Sequence, residues 1–287
     1  MRASKAKPPS TAVTIHTALL QGTKLLEDEA IAAPRLTAEV LLMHALQKER
    51  SYLYAHSDDE LSEIGWIHYG RYLHERMKGK PTQYITGRQE FYGREFRVTP
   101  DVLIPRPETE HLVEAAIARI KPYDIVVDVG TGSGAVAITL ALETSARVFA
   151  TDISTAALCV AESNARRLSS SVGFLACDLA ASIRDHSIDV LVSNPPYVPA
   201  TDQPSLQREV RDYEPHVALF GGPTGLEIYQ RLMVEATRVL RPNGWLLLEL
   251  GYNSLDPVRA MLEPRWSDIG MMHDLAGFPR VLAARIH

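Results

Sequence analysis

The stretch VVDVGTGSG, residues 126–134, decides the fold of this chain of 287 residues. Its three glycines follow an apolar run that is typical of a buried strand, and an apolar helical pattern over residues 135–142 comes next. Glycine lets the backbone turn tightly and approach a ligand closely. The spacing G-x-G-x-G differs from the G-x-G-x-x-G of dinucleotide-binding folds, so it indicates no pyrophosphate site. The stretch therefore predicts a strand, a ligand-binding turn and a helix.

Strands and helices alternate on both sides of this turn. Strands are predicted over residues 124–128, 147–152, 173–177, 188–193, 245–250 and 281–286. Helices are predicted over residues 135–142, 155–168 and 226–240. Apolar strands that alternate with helices imply a mostly parallel sheet covered on both faces. The second half of the chain is therefore expected to be an α/β domain.

The first third of the chain has a different pattern. Residues 1–10 are expected to be a short disordered tail without a secretion signal. Residues 11–85 have apolar side chains at helical spacing, and a capping box at residues 57–60 predicts a helix from Asp58 to Met77. Two β-rich pieces around Gly93 predict a β-hairpin linker over residues 86–100. Residues 101–287 then form the α/β domain.

Composition and charge exclude several classes of function. The net charge is -5 and the basic residues are dispersed, so nucleic acid is not an expected direct partner. Cys159 and Cys177 lie in apolar contexts far apart, which predicts two core residues and neither a disulfide nor a metal site. No apolar run reaches the roughly 18 to 20 residues that span a bilayer. A soluble, cytoplasmic protein without a membrane partner is expected.

Aspartates stand at or near the ends of three successive predicted strands, namely Asp128, Asp152 and Asp178. The carboxyl ends of parallel strands form the edge at which open α/β folds bind ligands. Asp152 comes about twenty residues after the glycine turn, where an acidic side chain can accept two hydrogen bonds from ribose hydroxyls. Each aspartate alone could cap a helix. Three in this order favour a nucleoside-containing ligand.

The tetrad Asn194-Pro195-Pro196-Tyr197 follows the next predicted strand and is the most specific signal in the chain. Consecutive prolines fix φ and remove two amide donors, so they leave a rigid cluster of acceptors beside an aromatic ring. Such a cluster can clamp a planar NH2 group. If the Asn194 side-chain oxygen and the Pro195 carbonyl each accept one N–H, they orient the nitrogen for attack. The alternative is a proline-rich exit from a strand with no chemical role.

The glycine turn and the three aspartates together resemble the class I methyltransferases that use S-adenosylmethionine (SAM). The resemblance implies a Rossmann-like, seven-stranded, mostly parallel sheet and SAM as the cofactor, without a metal. It implies that the glycines line the methionine part, Asp152 the ribose and Asp178 the adenine amine. A cationic sulfonium also suits a site with several acids. The implied cofactor-binding residues are Asp128, Gly130, Thr131, Gly132, Gly134, Asp152, Ile153, Asp178, Leu179 and Asn194.

Further segments resemble the release-factor glutamine methyltransferases of the HemK/PrmC family, over nearly the whole chain. They are residues 81–84, 91–96, 103–110, 214–222 and 274–280. The resemblance implies methylation of the glutamine in the Gly-Gly-Gln loop of class I peptide-chain release factors, with the helical N-terminal domain recognising the substrate. It implies that the tetrad is catalytic. The implied substrate-binding residues are Arg106, Glu108, Asn194, Pro195, Pro196 and Tyr197.

Three other functions compete with this one. Glutamine methylation of a ribosomal protein is the nearest alternative, but Pro107 stands where that sister family usually has a Ser. A DNA adenine methyltransferase would need a target-recognition domain and a basic groove, and the sequence indicates neither. A non-catalytic SAM-binding protein should have lost the tetrad or the glycine turn. A release factor remains the expected partner.

Overall fold

The computed structural model describes residues 13–262 and 264–287. The tail predicted for residues 1–10 lies outside these ranges. The chain divides into two compact units, with the boundary in the sequence between Thr86 and Gly87.

The first unit is helical. Its helices are α1 (Ile15–Asp28), α2 (Pro34–Leu46), α3 (Arg50–Ala55), α4 (Glu63–Met77) and α5 (Thr82–Thr86). Their core includes the fully buried side chains of Leu26, Leu41, Leu42 and Tyr69. Apolar residues at helical spacing therefore meet inside this unit, as the sequence indicated.

The capping box predicted at residues 57–60 is wrong. Helix α4 begins at Glu63, and the Ser62 hydroxyl caps it by accepting a hydrogen bond from the Gly65 N–H at 3.1 Å. The carbonyls of Ser57 and Asp59 instead accept hydrogen bonds from the first turn of α1. This pairing with α1 uses the backbone that a helix start at Asp58 would have needed.

The second unit begins with a hairpin of β1 (Arg88–Phe91) and β2 (Arg94–Arg97). The two turn residues, Tyr92 and Gly93, have φ values of 51° and 68°. Positive φ at both central residues is what a two-residue turn of the favoured hairpin type requires. Phe91 and Phe96 pack edge to face from this hairpin into the core of the second unit.

A seven-stranded sheet forms the centre of the second unit, with the order β10-β11-β9-β6-β3-β4-β5. All neighbours are parallel except that β11 runs antiparallel to both of its partners. This sheet confirms the predicted Rossmann-like fold class. Its strands are β3 (Ile125–Val129), β4 (Arg147–Asp152), β5 (Val172–Ala176), β6 (Ile188–Ser193), β9 (Leu240–Glu249), β10 (Trp266–His273) and β11 (Pro279–Ile286), while β7 (Val198–Pro199) and β8 (Phe220–Gly222) form a separate parallel pair.

Two hydrophobic clusters include residues from opposite faces of the sheet. Val126 belongs to one cluster and Val127 to the other, because side chains alternate along a strand. The helices are α6 (Glu110–Ile117), α7 (Ala135–Glu143), α8 (Thr155–Arg167), α9 (Arg208–Tyr213), α10 (His216–Leu219), α11 (Glu227–Val239) and α12 (Leu255–Ala260), with 3-10 turns at Pro107–Thr109 and Ala200–Ser205.

The prediction that both cysteines are core residues is wrong. Cys159 is exposed and Cys177 is half-buried. Helix α8 buries Leu158 and Val160, and Cys159 lies between them on the outer side. Among the described residues, no helix is both long and apolar enough to cross a membrane.

Candidate active site

The candidate site lies where the chain changes direction across the sheet. The strands β3, β4 and β5 follow one another outwards, and the chain then continues on the other side of β3 with β6. Val129 at the end of β3 is paired with both Thr151 of β4 and Ser193 of β6. The glycine turn therefore emerges between Asp152 and Asn194. Such a switch point is where open α/β sheets form a ligand crevice.

The glycine turn leaves open space above its backbone. Gly130, Gly132 and Gly134 have φ values of 76°, 55° and 82°, which L side chains rarely adopt. A Cβ on Gly130 or Gly132 would meet no atom within 4 Å, whereas one on Gly134 would lie 2.8 Å from the Ile138 side chain. The first two glycines thus form an open cradle, and the third permits close packing of α7.

Asp152 is tied to this cradle by its carboxylate. One oxygen accepts a hydrogen bond from the Gly132 N–H at 2.9 Å, and the other accepts one from the Ser154 N–H at 2.9 Å. Each carboxylate oxygen can accept more than one hydrogen bond, so both can still accept one from a ligand hydroxyl group. Ile153, which follows directly, has 59% of its surface exposed.

Asp128 lies beneath the turn. It is 2% exposed and accepts a hydrogen bond from the Thr131 hydroxyl at 2.7 Å. Burial raises the pKa of Asp128 to about 7, although the hydrogen bonds from Thr131 and from the Ala137 backbone oppose this rise. With so little exposed surface, Asp128 can act on a ligand mainly through Thr131 and the turn.

The raised pKa of Asp128 predicts a pH-dependent stability. The folded protein binds this proton more tightly than the unfolded chain, whose pKa is near 3.8. The resulting stabilisation is complete below that pKa and is lost as pH rises through about 7. We expect this group to make ligand-free protein about 2 kcal/mol less stable at about pH 8 than at about pH 5.5. Urea unfolding of the wild type and of Asp128→Asn at several pH values measures the free energy of unfolding. The variant should lack the loss of stability that Asp128 causes between about pH 5.5 and about pH 8. An equal dependence of stability on pH in both proteins would contradict the raised pKa of Asp128.

Asp178 and Leu179 follow β5. Asp178 is exposed and accepts a hydrogen bond from the Arg231 guanidinium at 2.5 Å, a pair that the sequence did not indicate. Leu179 has a φ of 48°, and its carbonyl accepts a hydrogen bond from the Thr151 hydroxyl at 2.8 Å. Both residues therefore lie at the sheet edge where the sequence placed them.

The tetrad follows β6 directly. Asn194 is half-buried, and its amide nitrogen donates a hydrogen bond to the Thr109 hydroxyl at 3.2 Å. This bond uses the NH2 group and leaves the amide oxygen as the acceptor. Pro195 is buried, and burial also raises the pKa of the Tyr197 hydroxyl above its usual range.

Three glycines confine the tetrad. A Cβ on Gly221 would lie 2.5 Å from the Pro196 carbonyl oxygen, and one on Gly225 would collide with the Tyr197 carbonyl. A Cβ on Gly251 would come within 2.6 Å of the Tyr197 ring. No side chain fits at these positions without displacing the tetrad. The tetrad therefore has little room to move.

Arg106 and Glu108 have different surroundings. The Arg106 guanidinium donates a hydrogen bond to the buried Glu214 carboxylate at 2.5 Å. Burial raises the pKa of Glu214, and the charge of Arg106 opposes this. Glu108 is exposed, but its charge raises the pKa of both Tyr197 and Glu249, so it lies near the tetrad.

Sequence reasoning missed two buried residues beside Asn194. Ser193 is paired with Leu248, so the following residues, Asn194 and Glu249, leave neighbouring strands side by side. Glu249 is 1% exposed, and Thr109 is 5% exposed. The signal for Glu249 was an acid that ends the apolar run of residues 246–248. Thr109 gave no signal of its own.

Asn164 of α8 was also missed. It is fully buried, donates hydrogen bonds to the carbonyls of Arg97 and Ser133, and accepts one from the Arg97 N–H. It thereby connects the hairpin strand β2 to the glycine turn. Within the two described ranges, no group of three or more His, Cys, Asp or Glu side chains could hold a metal ion.

Comparisons with known proteins agree with this fold. Residues 17–87 match the family model of the PrmC N-terminal domain, and residues 109–210 match the methyltransferase small domain. A solved methyltransferase from Pyrococcus furiosus has 18% identity and a TM-score of 0.52, over 68% of this chain and 90% of that chain. Together these findings define a methyltransferase with a Rossmann-like fold.

Two curated relatives show to which family of methyltransferases the chain is similar. The release factor glutamine methyltransferase of Koribacter versatilis is 44% identical, over 95% of this chain and 99% of the relative. The enzyme of the same name from Nitratidesulfovibrio vulgaris is 40% identical, over 97% of each chain. The chain belongs to the family of release factor glutamine methyltransferases. The family predicted from the sequence is confirmed.

Proposed function

We propose that this protein transfers a methyl group from SAM to the side-chain amide nitrogen of the glutamine in the Gly-Gly-Gln loop of class I peptide-chain release factors. The observation that carries the proposal is the confined tetrad at the switch point, beside an open glycine cradle. The proposal includes action in the cytoplasm and recognition of the release factor by the helical N-terminal unit.

The tetrad meets the chief chemical difficulty of this reaction. A neutral amide nitrogen is a poor nucleophile, because its lone pair is delocalised into the carbonyl group. Two acceptors, the Asn194 side-chain oxygen and the Pro195 carbonyl, would hold the two N–H bonds and direct the lone pair. SAM, when bound, would supply an electrophilic methyl group. The chain then has to position and shield the nitrogen, and it needs no nucleophile of its own.

The same acceptors would act on the transition state. Positive charge develops on the nitrogen as the new bond forms, and oxygens held in place beforehand stabilise it without reorganising. Tyr197, whose ring packs against Gly251, would present a flat surface to the planar amide. Arg106 and Glu108 would shape the entrance to the pocket.

The residues of the cradle fit SAM. The space above Gly130 and Gly132 is open, and Asp152 retains acceptor sites for ribose hydroxyls. Asp178 has one carboxylate oxygen on Arg231 and the other available for an exocyclic amine. In this proposal Asp128 supports the turn through Thr131, while Ile153 and Leu179 border the nucleoside.

Asp152→Ala is expected to weaken SAM binding on the order of 1 to 3 kcal/mol, because buried ribose hydroxyls would lose their acceptors. Calorimetric titration with SAM measures the loss. Asp152 also holds the Gly132 amide, so thermal unfolding without SAM serves as the control for a loosened turn. An unchanged SAM affinity would remove Asp152 from the site.

The proposed function is tested by mass spectrometry of a release factor incubated with SAM and the full chain. A tryptic peptide that carries the Gly-Gly-Gln loop should gain the mass of one methyl group, located on the glutamine. Heat-denatured protein is the control. If the peptide stays unmodified while a ribosomal protein gains the methyl group, the substrate assignment is wrong.

A further inference from the structure

Asn194 can perform its proposed task only if its side-chain amide has one of two orientations. Its oxygen must point to the substrate, yet the amide NH2 and oxygen have nearly the same shape, so packing alone distinguishes them poorly. In the wrong orientation an NH2 group would meet the substrate N–H. Something must therefore select the orientation.

Thr109 contacts the amide directly. Its hydroxyl oxygen accepts a hydrogen bond from the Asn194 NH2 group at 3.2 Å. A hydroxyl group has one proton to donate and can also accept, so by itself it could bind either end of the amide. The orientation depends on where the Thr109 proton goes.

Glu249 is the group that can set the direction of that proton. It follows Leu248 of β9, the partner of Ser193, and its side chain interacts with Thr109, which lowers the pKa of Glu249. An ionised carboxylate can only accept, so the Thr109 proton is directed to Glu249. The Thr109 oxygen is then left to accept, and only the NH2 end of Asn194 can donate to it.

The burial of the Glu249 carboxyl group destabilises the fold. Glu249 is 1% exposed, and its Oε2 atom has no hydrogen-bond partner within the described residues. A buried carboxyl group with an unsatisfied oxygen destabilises the fold. An apolar residue would suit the end of this buried strand better, so a role in the site accounts for the acid.

We infer that Glu249 and Thr109 are positioning residues that fix the Asn194 amide with its oxygen towards the substrate. The inference rests on the proposed function, and it adds two residues that act through Asn194 without touching the substrate. The direction of the hydrogen bonds runs from Asn194 NH2 to Thr109, and from Thr109 to Glu249.

Protonation of Glu249 would remove the preference for one orientation of the Asn194 side-chain amide. A neutral carboxyl group can donate to the Thr109 oxygen, and the Thr109 proton is then free to bind the Asn194 oxygen and turn the amide around. Burial raises the pKa of Glu249 to about 7, the charge of Glu108 adds to the rise, and Thr109, Arg280 and Arg106 oppose it. The methyl transfer rate should therefore rise with pH through about 7.

The test uses Thr109→Val, which keeps the shape but removes the hydroxyl, and Thr109→Ser, which restores it. Single-turnover methyl transfer to a release factor at saturating SAM should be about 10-fold slower for Thr109→Val. Thr109→Ser should retain most of the rate. SAM affinity, measured by calorimetry, should stay within about twofold in both. A wild-type rate for Thr109→Val would overturn the inference.

A double variant separates positioning from structure. If Thr109 acts only through Asn194, adding Thr109→Val to Asn194→Ala should slow transfer less than about twofold. An equal loss in both backgrounds would show a structural role and overturn the inference. In either case the wild-type protein still methylates the release factor, so this failure differs from failure of the proposed function.

Glu249→Gln provides the second variant. Its side chain has the same shape without the charge, so it should abolish the rise in rate through about pH 7. Persistence of that rise in Glu249→Gln would also contradict the inference. Circular dichroism on each variant confirms that the fold is retained before rates are compared.

Discussion

Asn194→Ala should lower the rate of methyl transfer by about 100 to 1000-fold while leaving SAM affinity within about threefold. The amide oxygen is proposed to act chiefly on the target nitrogen, and its effect grows as positive charge develops there. Single-turnover transfer of labelled methyl from SAM to a release factor measures the rate. Calorimetry with SAM alone measures the affinity. Transfer at the wild-type rate would mean that the tetrad is only structural.

Asn194→Asp is the sharper companion variant. A carboxylate keeps an acceptor oxygen but cannot donate to Thr109, and it adds a second charge beside the buried Glu249. It also places that charge near the carboxylate of bound SAM. We therefore expect partial activity with weaker SAM binding. Full loss of activity with unchanged binding would instead point to a need for the Asn194 NH2 group.

The sequence predicted best those elements whose ends carry their own signals. The bounds predicted for β4 and β6 match the structure, because an apolar run in each is closed by a residue that cannot continue it. Asp152 closes one run, and Asn194 with its two prolines closes the other. The glycine turn was recognisable for a similar reason, since positive φ at three alternate positions favours glycine.

Partners distant in the sequence could not be predicted in this way. Arg106 is bound to Glu214, which is 108 residues away in the sequence. Thr109 and Glu249 come together with Asn194 only because β9 lies beside β6 in the sheet. Strand β10 was also missed, because it is an edge strand of mixed polarity and therefore has no clear alternating pattern.

The candidate site could be predicted from the sequence only in part. Asp152, Asn194 and the glycines were placed at one sheet edge by a general rule for parallel strands, and the structure brings them to neighbouring strands there. The rule cannot tell which acid faces inwards. Asp128 lies beneath the turn, bound to Thr131, because both faces of the central strand β3 are buried.

A release factor whose loop glutamine is changed to asparagine should be methylated at least about 100-fold more slowly, although asparagine carries the same amide. One missing methylene withdraws the nitrogen by about 1.5 Å, and a misplacement of about 1 Å already costs that much. The tetrad cannot follow the shorter side chain, because its close packing on Gly221, Gly225 and Gly251 leaves it little room to move. Labelled methyl incorporation into both release factors measures the difference. The asparagine variant should still inhibit methylation of the natural factor by competition, which shows that it binds; efficient labelling of it would mean that the pocket does not measure side-chain length.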